Sequence, residues 1–255
     1  MSNSIAVIIH TYNEEKNIKN ALFTARLLTD KVIVVDMEST DRTVEIALRN
    51  GARIYSVSHS LYVEPAREFA ILKAQTDWVF LLDSDERITQ DLATEIAKVI
   101  ENKRFNYYKV PRKNYFLEKK WLKHGGWYPD YVIRLIKKEA FLHWPKQIHS
   151  SPVINGECGL LNEPLLHYFH PNFENMVEKT CIYEDIEANL LYGAEKKTST
   201  LIIMRKYLGE LYRRLFAKQG IRDGSLGIIE SVYQAYSKAV TYLFLYEKSK
   251  KSPTV

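Results

Sequence analysis

The sequence has little of what marks several specialised protein classes. Its 255 residues include only two cysteines, Cys158 and Cys181, in no CxxC pair, so free thiols are expected rather than a disulfide framework. The apolar run at residues 5–9 is too short for a signal peptide or a membrane span. With 46% hydrophobic and 26% charged residues, the composition excludes disorder, collagen and coiled coil as its main character. We therefore expect a globular protein that stays in the cytoplasm unless something docks it elsewhere.

The charge excess is small but unevenly placed. Lys and Arg number 36 against 31 Asp and Glu, which gives a formal net charge of +5. Residues 195–222 carry eight of the cations and only two acids, Glu195 and Glu210, and so hold the whole excess. Apolar residues interleave with these cations, as in helices that lie in an anionic membrane interface. The same pattern also fits apolar faces that pack on the catalytic domain or on a second subunit. No nucleic-acid binding module is recognisable there.

Four short apolar runs alternate with four amphipathic stretches over the first hundred residues. The runs predict strands at 5–9, 32–35, 52–57 and 78–82, and the stretches predict helices at 14–28, 40–49, 64–74 and 90–100. Strands without alternation of apolar and polar residues are buried on both faces. The sequence therefore predicts an α/β fold with a largely parallel sheet, whose ligands bind beyond the carboxyl ends of the strands.

The remaining chain divides into an aromatic-rich segment and a helical one. The pattern predicts strands at 107–110, 132–136 and 165–168, followed by helices at 173–191, 198–218 and 225–248. We accordingly expect one domain over residues 1–171, with a first half at 1–104 and a second half at 105–171 that supplies a substrate wall. Residues 172–255 are expected to form a helical extension.

Acidic residues gather where the predicted strands end. Asp83 and Asp85 follow the fourth strand, and Asp36 follows the second. Two aspartates one residue apart would repel each other in a desolvated site without a cation. A divalent metal that bridges to a diphosphate meets this need, because Mg²⁺ and Mn²⁺ favour one or two carboxylates together with phosphate oxygens. The plainer alternative is that Asp85 or Glu86 is a first-turn acid of the following helix.

No glycine-rich phosphate loop accompanies these acids. The sequence contains neither GxGxxG nor GxxxxGK[ST], so a glycine loop at a helix N-terminus does not cradle the phosphates. The metal must then hold them. Arg67, in the third predicted helix, is either a second positive contact for the diphosphate or a solvated helix charge.

Several strings resemble glycosyltransferase family 2, in the family's own order. VIIHTYNEEKNI, VIVVDMESTDRTVEIA and DWVFLLDSDERIT are similar to its nucleotide-binding segments with the metal-binding DxD. HGGWYPDYVIRLIKK and WPKQIHSSPVINGECGLLNEPLLHYFH resemble a subgroup of lipopolysaccharide core β-1,4-glucosyltransferases. The resemblance covers roughly residues 4–171 and implies a GT-A fold, a Rossmann-like, mixed but mostly parallel sheet with helices on both faces. It also implies metal-dependent, inverting transfer of a sugar, glucose in that subgroup, from a UDP-linked donor to a lipopolysaccharide core or other lipid-linked glycan.

Carried over position by position, the resemblance assigns roles at the strand ends. The residues implied to line the nucleotide pocket are Thr11, Tyr12, Asn13 and Glu14, with Asp36 at the uridine. Asp83 would face the ribose or diphosphate, Ser84 would bind substrate beside it, and Asp85 would ligate Mn²⁺ or Mg²⁺. His149 stands where the family often has a histidine and would either complete the metal site or be a satisfied loop residue.

The resemblance also implies a general base and an acceptor wall. Asp130, in Trp127-Tyr128-Pro129-Asp130, would take the proton of the acceptor hydroxyl, and the alternative is a turn acid that follows proline. Trp127 and Tyr128 would cover the apolar face of a sugar ring, since glycine and proline turns flank them. Most other aromatic residues nearby are expected to pack in the core.

Two other functions stay open. A sugar nucleotidyltransferase would also need a DxD and a diphosphate, but its glycine-rich, basic N-terminal loop is missing. A non-catalytic domain that holds a nucleotide or a glycan is favoured by Met37, Glu38, Pro129 and Ser150, where the sequence departs from the family pattern. The expected partners are a UDP-sugar, a lipid-linked glycan at the inner face of the cell membrane and, through the C-terminal helices, a second copy of the chain.

Overall fold

The computed structural model describes residues 3–102 and 104–251, which contain both helices and strands. The strands are β1 (Ile5–Thr11), β2 (Val32–Asp36), β3 (Arg53–Ser56), β4 (Trp78–Asp83), β5 (Glu86–Arg87), β6 (Tyr107–Phe116), β7 (Lys120–Trp121), β8 (Asp130–Lys137), β9 (Phe141–His143), β10 (Val153–Ile154), β11 (Cys158–Leu160) and β12 (Leu165–Phe169). The α-helices are α1 (Ile18–Ala25), α2 (Thr43–Arg49), α3 (Glu64–Lys73), α4 (Gln90–Val99), α5 (Phe173–Gly193), α6 (Thr200–Tyr212) and α7 (Gly224–Lys251). The chain forms two compact units, Met1–Lys113 with Asp130–His167, and Asn114–Pro129 with Tyr168–Val255.

The first unit is built on a mixed sheet with the strand order β3-β2-β1-β4-β8-β6-β12-β5, and β11 lies beside β6. The pairs β2–β3, β1–β2 and β1–β4 are parallel, as the βα alternation predicts, whereas β8 runs antiparallel to both β4 and β6. All residues of β1 and β2 are buried, because these apolar, β-branched strands have helices on both sides.

Alternate residues of β1 point into two different cores. Ile5, Val7 and Ile9 pack in one cluster with apolar residues of α1 and α4. Ala6 and Ile8 pack in the other with residues of α3. The sheet therefore has helices on both faces, and this expectation is confirmed.

The parallel strands end level with one another. Thr11 at the end of β1 is in register with Asp36 at the end of β2. On the other side of β1, His10 is in register with Asp83. This register brings the polar residues that follow the strands to one edge of the sheet.

The second unit joins the three long C-terminal helices to the segment 114–129. Helix α7 packs against α5 and α6, and a small core forms from Phe116, Leu122, Phe169 and Met176. This division differs from the expected boundary after residue 171. Segment 114–129 belongs with the helices because Phe116 and Leu122 bury their side chains in that core. None of the helices among the described residues is both long and apolar enough to cross a bilayer.

Candidate active site

The loops that follow β1 and β2 brace each other through hydrogen bonds. Asn13 has a left-handed backbone (φ 51°), and its N–H donates to Ser39 Oγ at 2.9 Å. Asn13 Oδ1 accepts from the Thr40 N–H at 2.8 Å, and the Glu14 N–H donates to Thr43 Oγ1 at 2.8 Å. Asn13 and Glu14, both expected at the nucleotide pocket, thus hold the loop after β2 in place.

Two buried polar atoms at this edge, Asp36 Oδ1 and Thr11 Oγ1, have no hydrogen-bond partner among the described residues. Asp36 is buried, and its Oδ2 accepts from the Ser39 N–H at 2.9 Å, but Oδ1 has no hydrogen bond. The buried hydroxyl of Thr11 is unpartnered as well. An unmade hydrogen bond at a buried polar group costs about 1–3 kcal/mol, so a ligand that donates here would be bound more tightly. Tyr12, which is exposed, lies with its ring centroid 4.1 Å from that of His59.

Asp83 is neutralised by arginines. Arg67 Nη2 lies 3.1 Å from Asp83 Oδ1, and Arg134 Nη2 bonds to Oδ2. Burial alone would raise the pKa of Asp83, but Arg134 and Arg67 hold it well below its usual range. Arginines therefore balance the charge of Asp83, and a metal at the neighbouring Asp85 stays a prediction. Arg67 is itself buried, which excludes the solvated helix charge that was its alternative.

The arginines extend into a line of alternating charges, which we call the charge chain: Arg67, Asp83, Arg134, Glu86, Arg112 and Asp130. Glu86 is fully buried, and its Oε1 lies 2.6 Å from Arg134 Nη2 and 3.4 Å from Arg112 Nη1. Arg112 then donates from Nε at 2.9 Å and from Nη2 at 2.6 Å to Asp130 Oδ2. The chain connects the first aspartate of the DxD to the expected general base.

His10 is a buried neighbour of the charge chain. It lies in the middle of the sheet beside Asp83, and neither ring nitrogen has a hydrogen-bond partner among the described residues. Burial, with a further contribution from Arg67, lowers the pKa of His10 to about 3. The imidazole is therefore neutral at physiological pH.

Asp85 has a different neighbour from Asp83. Its Oδ2 lies 3.5 Å from Nε2 of His167, on β12. Helix α4 begins only at Gln90, where Thr89 Oγ1 caps it by accepting from the Leu92 N–H at 3.1 Å. Asp85 and Glu86 are therefore not first-turn acids, and this alternative is wrong.

The Asp85–His167 pair fits a metal site of modest ligand number. Bonds of about 2.1 Å to Mg²⁺ allow two donor atoms at this separation to share one ion. No three His, Cys, Asp or Glu side chains in the described ranges are grouped closely enough to enclose a metal. His149 lies in a loop where its N–H donates to Glu64 Oε1 at 3.0 Å, and its role as a ligand stays a prediction.

The remaining predicted residues have distinct surroundings. Ser84 is buried, and its carbonyl oxygen accepts from Arg87 Nη1 at 2.6 Å. In the second unit, the ring of Trp127 packs 4.8 Å from that of Phe169 and beneath the guanidinium of Arg214. Trp127 was expected to escape core packing, and the structure instead packs it against the small core of that unit.

Sequence reasoning missed Glu86 and Arg112 as parts of the site, as well as His10 and His167. The available signal was a charged residue inside a strand or directly after one, where burial requires a partner. Arg112 and Arg134 lie in β6 and β8, and Glu86 lies in β5.

The mixed sheet and the acids at its carboxyl edge place this chain among the α/β proteins, a class in which ligands commonly bind at the strand ends. Residues 6–166 match the family model described as glycosyl transferase family 2. This match covers more than half of the chain, which therefore belongs to that family and is a glycosyltransferase.

Relatives and solved structures agree with this assignment. An uncharacterized glycosyltransferase of Rickettsia typhi is 30% identical over 263 residues, which span 98% of this chain and 89% of the relative. Residues 1–349 of S. aureus TarS match with a TM-score of 0.50 at 14% identity, covering 99% of this chain and 93% of that one. Glucosyl-3-phosphoglycerate synthase from Mycobacterium tuberculosis, in complex with phosphoglyceric acid, matches with a TM-score of 0.50 at 17% identity, covering 77% and 82%. These likenesses concern the fold, and the expected GT-A fold is confirmed.

Proposed function

We propose that this glycosyltransferase is metal-dependent and inverting, and that it transfers a sugar from a UDP-linked donor. The observation that carries the proposal is that three of the expected acids lie in one unit, at or directly beside strand ends: Asp36 ends β2, Asp85 follows β4 and Asp130 begins β8. The resemblance to lipopolysaccharide core β-1,4-glucosyltransferases favours glucose as the sugar and a lipopolysaccharide core or other lipid-linked glycan as the acceptor.

Buried polar atoms without a hydrogen bond, at the carboxyl edge of the sheet, are the proposed binding site for the UDP-sugar. Asp36 Oδ1 and the Thr11 hydroxyl are buried without partners, so the uridine or ribose can satisfy them. Arg67 Nη1 and Arg134 Nε are buried donors without an acceptor among the described residues. A diphosphate oxygen would accept from them, which supports the predicted substrate contact of Arg67.

The donor set at Asp85 suits Mn²⁺ or Mg²⁺. A carboxylate and an imidazole are both ligands that Mn²⁺ accepts, and Asp85 and His167 would hold the ion. His149, the ligand predicted from the sequence, is not grouped with these two side chains among the described residues. A divalent ion bound there supplies charge stabilisation for the diphosphate as it leaves.

Asp130 is the proposed base. The acceptor hydroxyl oxygen forms its bond to the anomeric carbon while the bond from that carbon to the UDP oxygen breaks, and the hydroxyl proton passes to an Asp130 carboxylate oxygen. Arg112 anchors Oδ2 of the same carboxylate, which fixes its orientation at the start of β8. Attack and departure on opposite faces of the sugar invert the anomeric configuration.

The decisive experiment separates donor binding from transfer. Calorimetry of UDP binding should show heat only with Mn²⁺ or Mg²⁺ in the wild type. In Asp85→Asn this metal-dependent heat should be lost. Asp130→Asn should bind UDP as the wild type does while transfer falls by about 10²-fold or more. Full transfer by Asp130→Asn would remove it as the base. Binding of UDP without any transfer by the wild type would favour the non-catalytic alternative, and release of diphosphate from a nucleoside triphosphate would favour a nucleotidyltransferase.

Contact with the inner face of the cell membrane forms part of the proposal. Helix α6 buries none of its residues fully, and Leu201, Met204, Leu208 and Tyr212 are exposed at intervals of three and four residues. That spacing places them on one face of the helix, within the segment that holds the chain's cationic excess. An anionic bilayer interface suits such a face, and a lipid-linked acceptor would be presented there. Self-association through the same face is the competing arrangement.

A further inference from the structure

The second unit carries a basic cleft of about 340 Å³ between the loop at 123–129 and the turn at 217–219. Lys123, His124 and Lys218 line it, together with Tyr128 and Gly126, and its lining contains no acidic residue. Like charges that face one cleft repel each other, and a bound anion relieves that repulsion.

The two lysines are not neutralised by the protein. Neither forms an ion pair with a residue in the described part of the chain, and both are exposed. Lys123 Nζ lies 4.6 Å from the centre of the Trp121 ring, a contact that restrains the side chain without cancelling its charge. The cleft therefore presents uncompensated positive charge.

The cleft is held in shape before any ligand arrives. Asp223 is buried, and its Oδ2 accepts from the backbone N–H groups of Lys123 at 2.9 Å and His124 at 2.7 Å. Its Oδ1 lies 2.8 Å from His124 Nδ1. The Gly125 N–H donates to the Lys218 carbonyl at 2.7 Å, which ties the two walls together. A site fixed in this way loses little conformational entropy on binding.

The loop needs its two glycines to reach this arrangement. Gly125 and Gly126 have φ angles of +69° and +89°, in the region that residues with a Cβ rarely adopt. The glycine pair therefore lets the loop lie against the turn that carries Lys218.

We propose that this cleft binds an anionic group, a phosphate or a carboxylate, carried on the glycan acceptor. Two lysines suit such a group as mobile point charges, and the Tyr128 ring offers an apolar face to the sugar that bears it. Tyr128 and Pro129 also directly precede Asp130, the proposed base, in the sequence. The assignment of this ligand to the glycan acceptor rests on the proposed function, whereas anion binding by the cleft does not.

The test uses the full chain and nuclear magnetic resonance, with glucose 6-phosphate as the probe and glucose as its uncharged control. The signals of the Gly126 amide and the His124 ring should shift with the sugar phosphate and not with glucose, also when UDP and Mg²⁺ are present to fill the donor site. Lys218→Gln should weaken binding at least about tenfold, because it removes a charged donor and keeps most of the stem. Lys179→Gln, on an exposed lysine of α5 in the same unit, should leave it unchanged.

The absence of shifts at Gly126 and His124 would overturn the proposal, and so would equal weakening by Lys179→Gln. Phosphatidylglycerol vesicles form a separate arm, and shifts with vesicles but not with the sugar phosphate would assign the cleft to a lipid headgroup instead. Because this assay requires no sugar transfer, anion binding without transfer would refute the proposed function and retain the cleft. Transfer without anion binding would do the reverse.

Discussion

Replacing Glu86 with glutamine tests whether the charge chain stabilises the first unit. Three donors converge on this fully buried carboxylate, two from Arg134 and Arg112 and one from the Asp83 N–H at 3.0 Å. Glutamine offers a single acceptor oxygen, so at least one donor loses a bond, at a cost of about 1–3 kcal/mol. The variant also leaves three arginines against two aspartates, and removal of one partner from a buried pair costs about 3–5 kcal/mol. We expect Glu86→Gln to lower the free energy of unfolding by at least about 3 kcal/mol.

Urea denaturation at pH 7, followed by circular dichroism, measures this loss. The matched control is Glu45→Gln, since Glu45 pairs with Arg49 at 2.7 Å across one turn of α2 on the surface. Exposed pairs of this kind contribute only about 0.3–0.5 kcal/mol. If Glu86→Gln and Glu45→Gln lose the same stability, water screens the charges of the charge chain, and the prediction that this chain stabilises the first unit is refuted.

Three further variants test groups outside that pair of experiments. The pKa of His10 in the folded protein is about 3, below the ordinary histidine value of 6.5, so the unfolded chain takes up the proton first as the pH falls. The wild type should therefore lose roughly 2 kcal/mol from this group between pH 7 and pH 5, and His10→Phe should not, as urea titrations at both pH values will show. Burial raises the pKa of Glu230 from 4.5 to about 7, so the folded state favours the neutral acid. Glu230→Gln should therefore be more stable than the wild type by up to roughly 3 kcal/mol at pH 8 and by less than about 1 kcal/mol at pH 5. A gain in stability that does not change with pH would contradict this explanation. Leu201→Ser combined with Leu208→Ser should reduce sedimentation with anionic vesicles by about tenfold or more, because each leucine buries apolar surface in the bilayer interface. Leu190→Ser, on an exposed leucine of α5, is the control. Equal vesicle binding by all the proteins would exclude this face of α6 as the membrane contact.

The sequence was informative where one local signal decides the structure. Strand β4 was predicted at 78–82 and spans Trp78–Asp83. A strand that is buried on both faces consists of consecutive apolar residues, and such a run is recognisable in the sequence. Helix α1 was predicted to begin at residue 14, and it begins at Ile18. The difference arises because the backbone N–H of Asn13 bonds to Ser39 in the loop after β2 and that of Glu14 bonds to Thr43 at the start of α2, so the chain turns before the helix starts. Local periodicity does not record such a contact between loops.

The candidate site was predictable as a set of acids and not as a set of pairs. Parallel strands bring their carboxyl ends together, so the positions of Asp36 and Asp83 follow from the alternation of strands and helices. The partners of Asp83 and Asp130 depend on β8, which lies antiparallel between β4 and β6. That placement joins Arg134 to Asp83 and Arg112 to Asp130, and no spacing in the sequence encodes it.

The two aspartates of the DxD have different neighbours, and under the proposed function they would have separate tasks. Both oxygens of Asp83 already bond to arginines, and a dication on that carboxylate would have to compete with two guanidinium groups for it. Asp85 has an imidazole as its neighbour, which can share a metal instead of repelling it. On this reasoning, metal affinity would depend on Asp85, whereas Asp83 would orient Arg67 and Arg134. Arg67 Nη1 and Arg134 Nε, which have no acceptor among the described residues, could then donate to an anionic oxygen. The positive charge that receives the diphosphate would then come from two directions, the metal at Asp85 and the arginines that Asp83 holds.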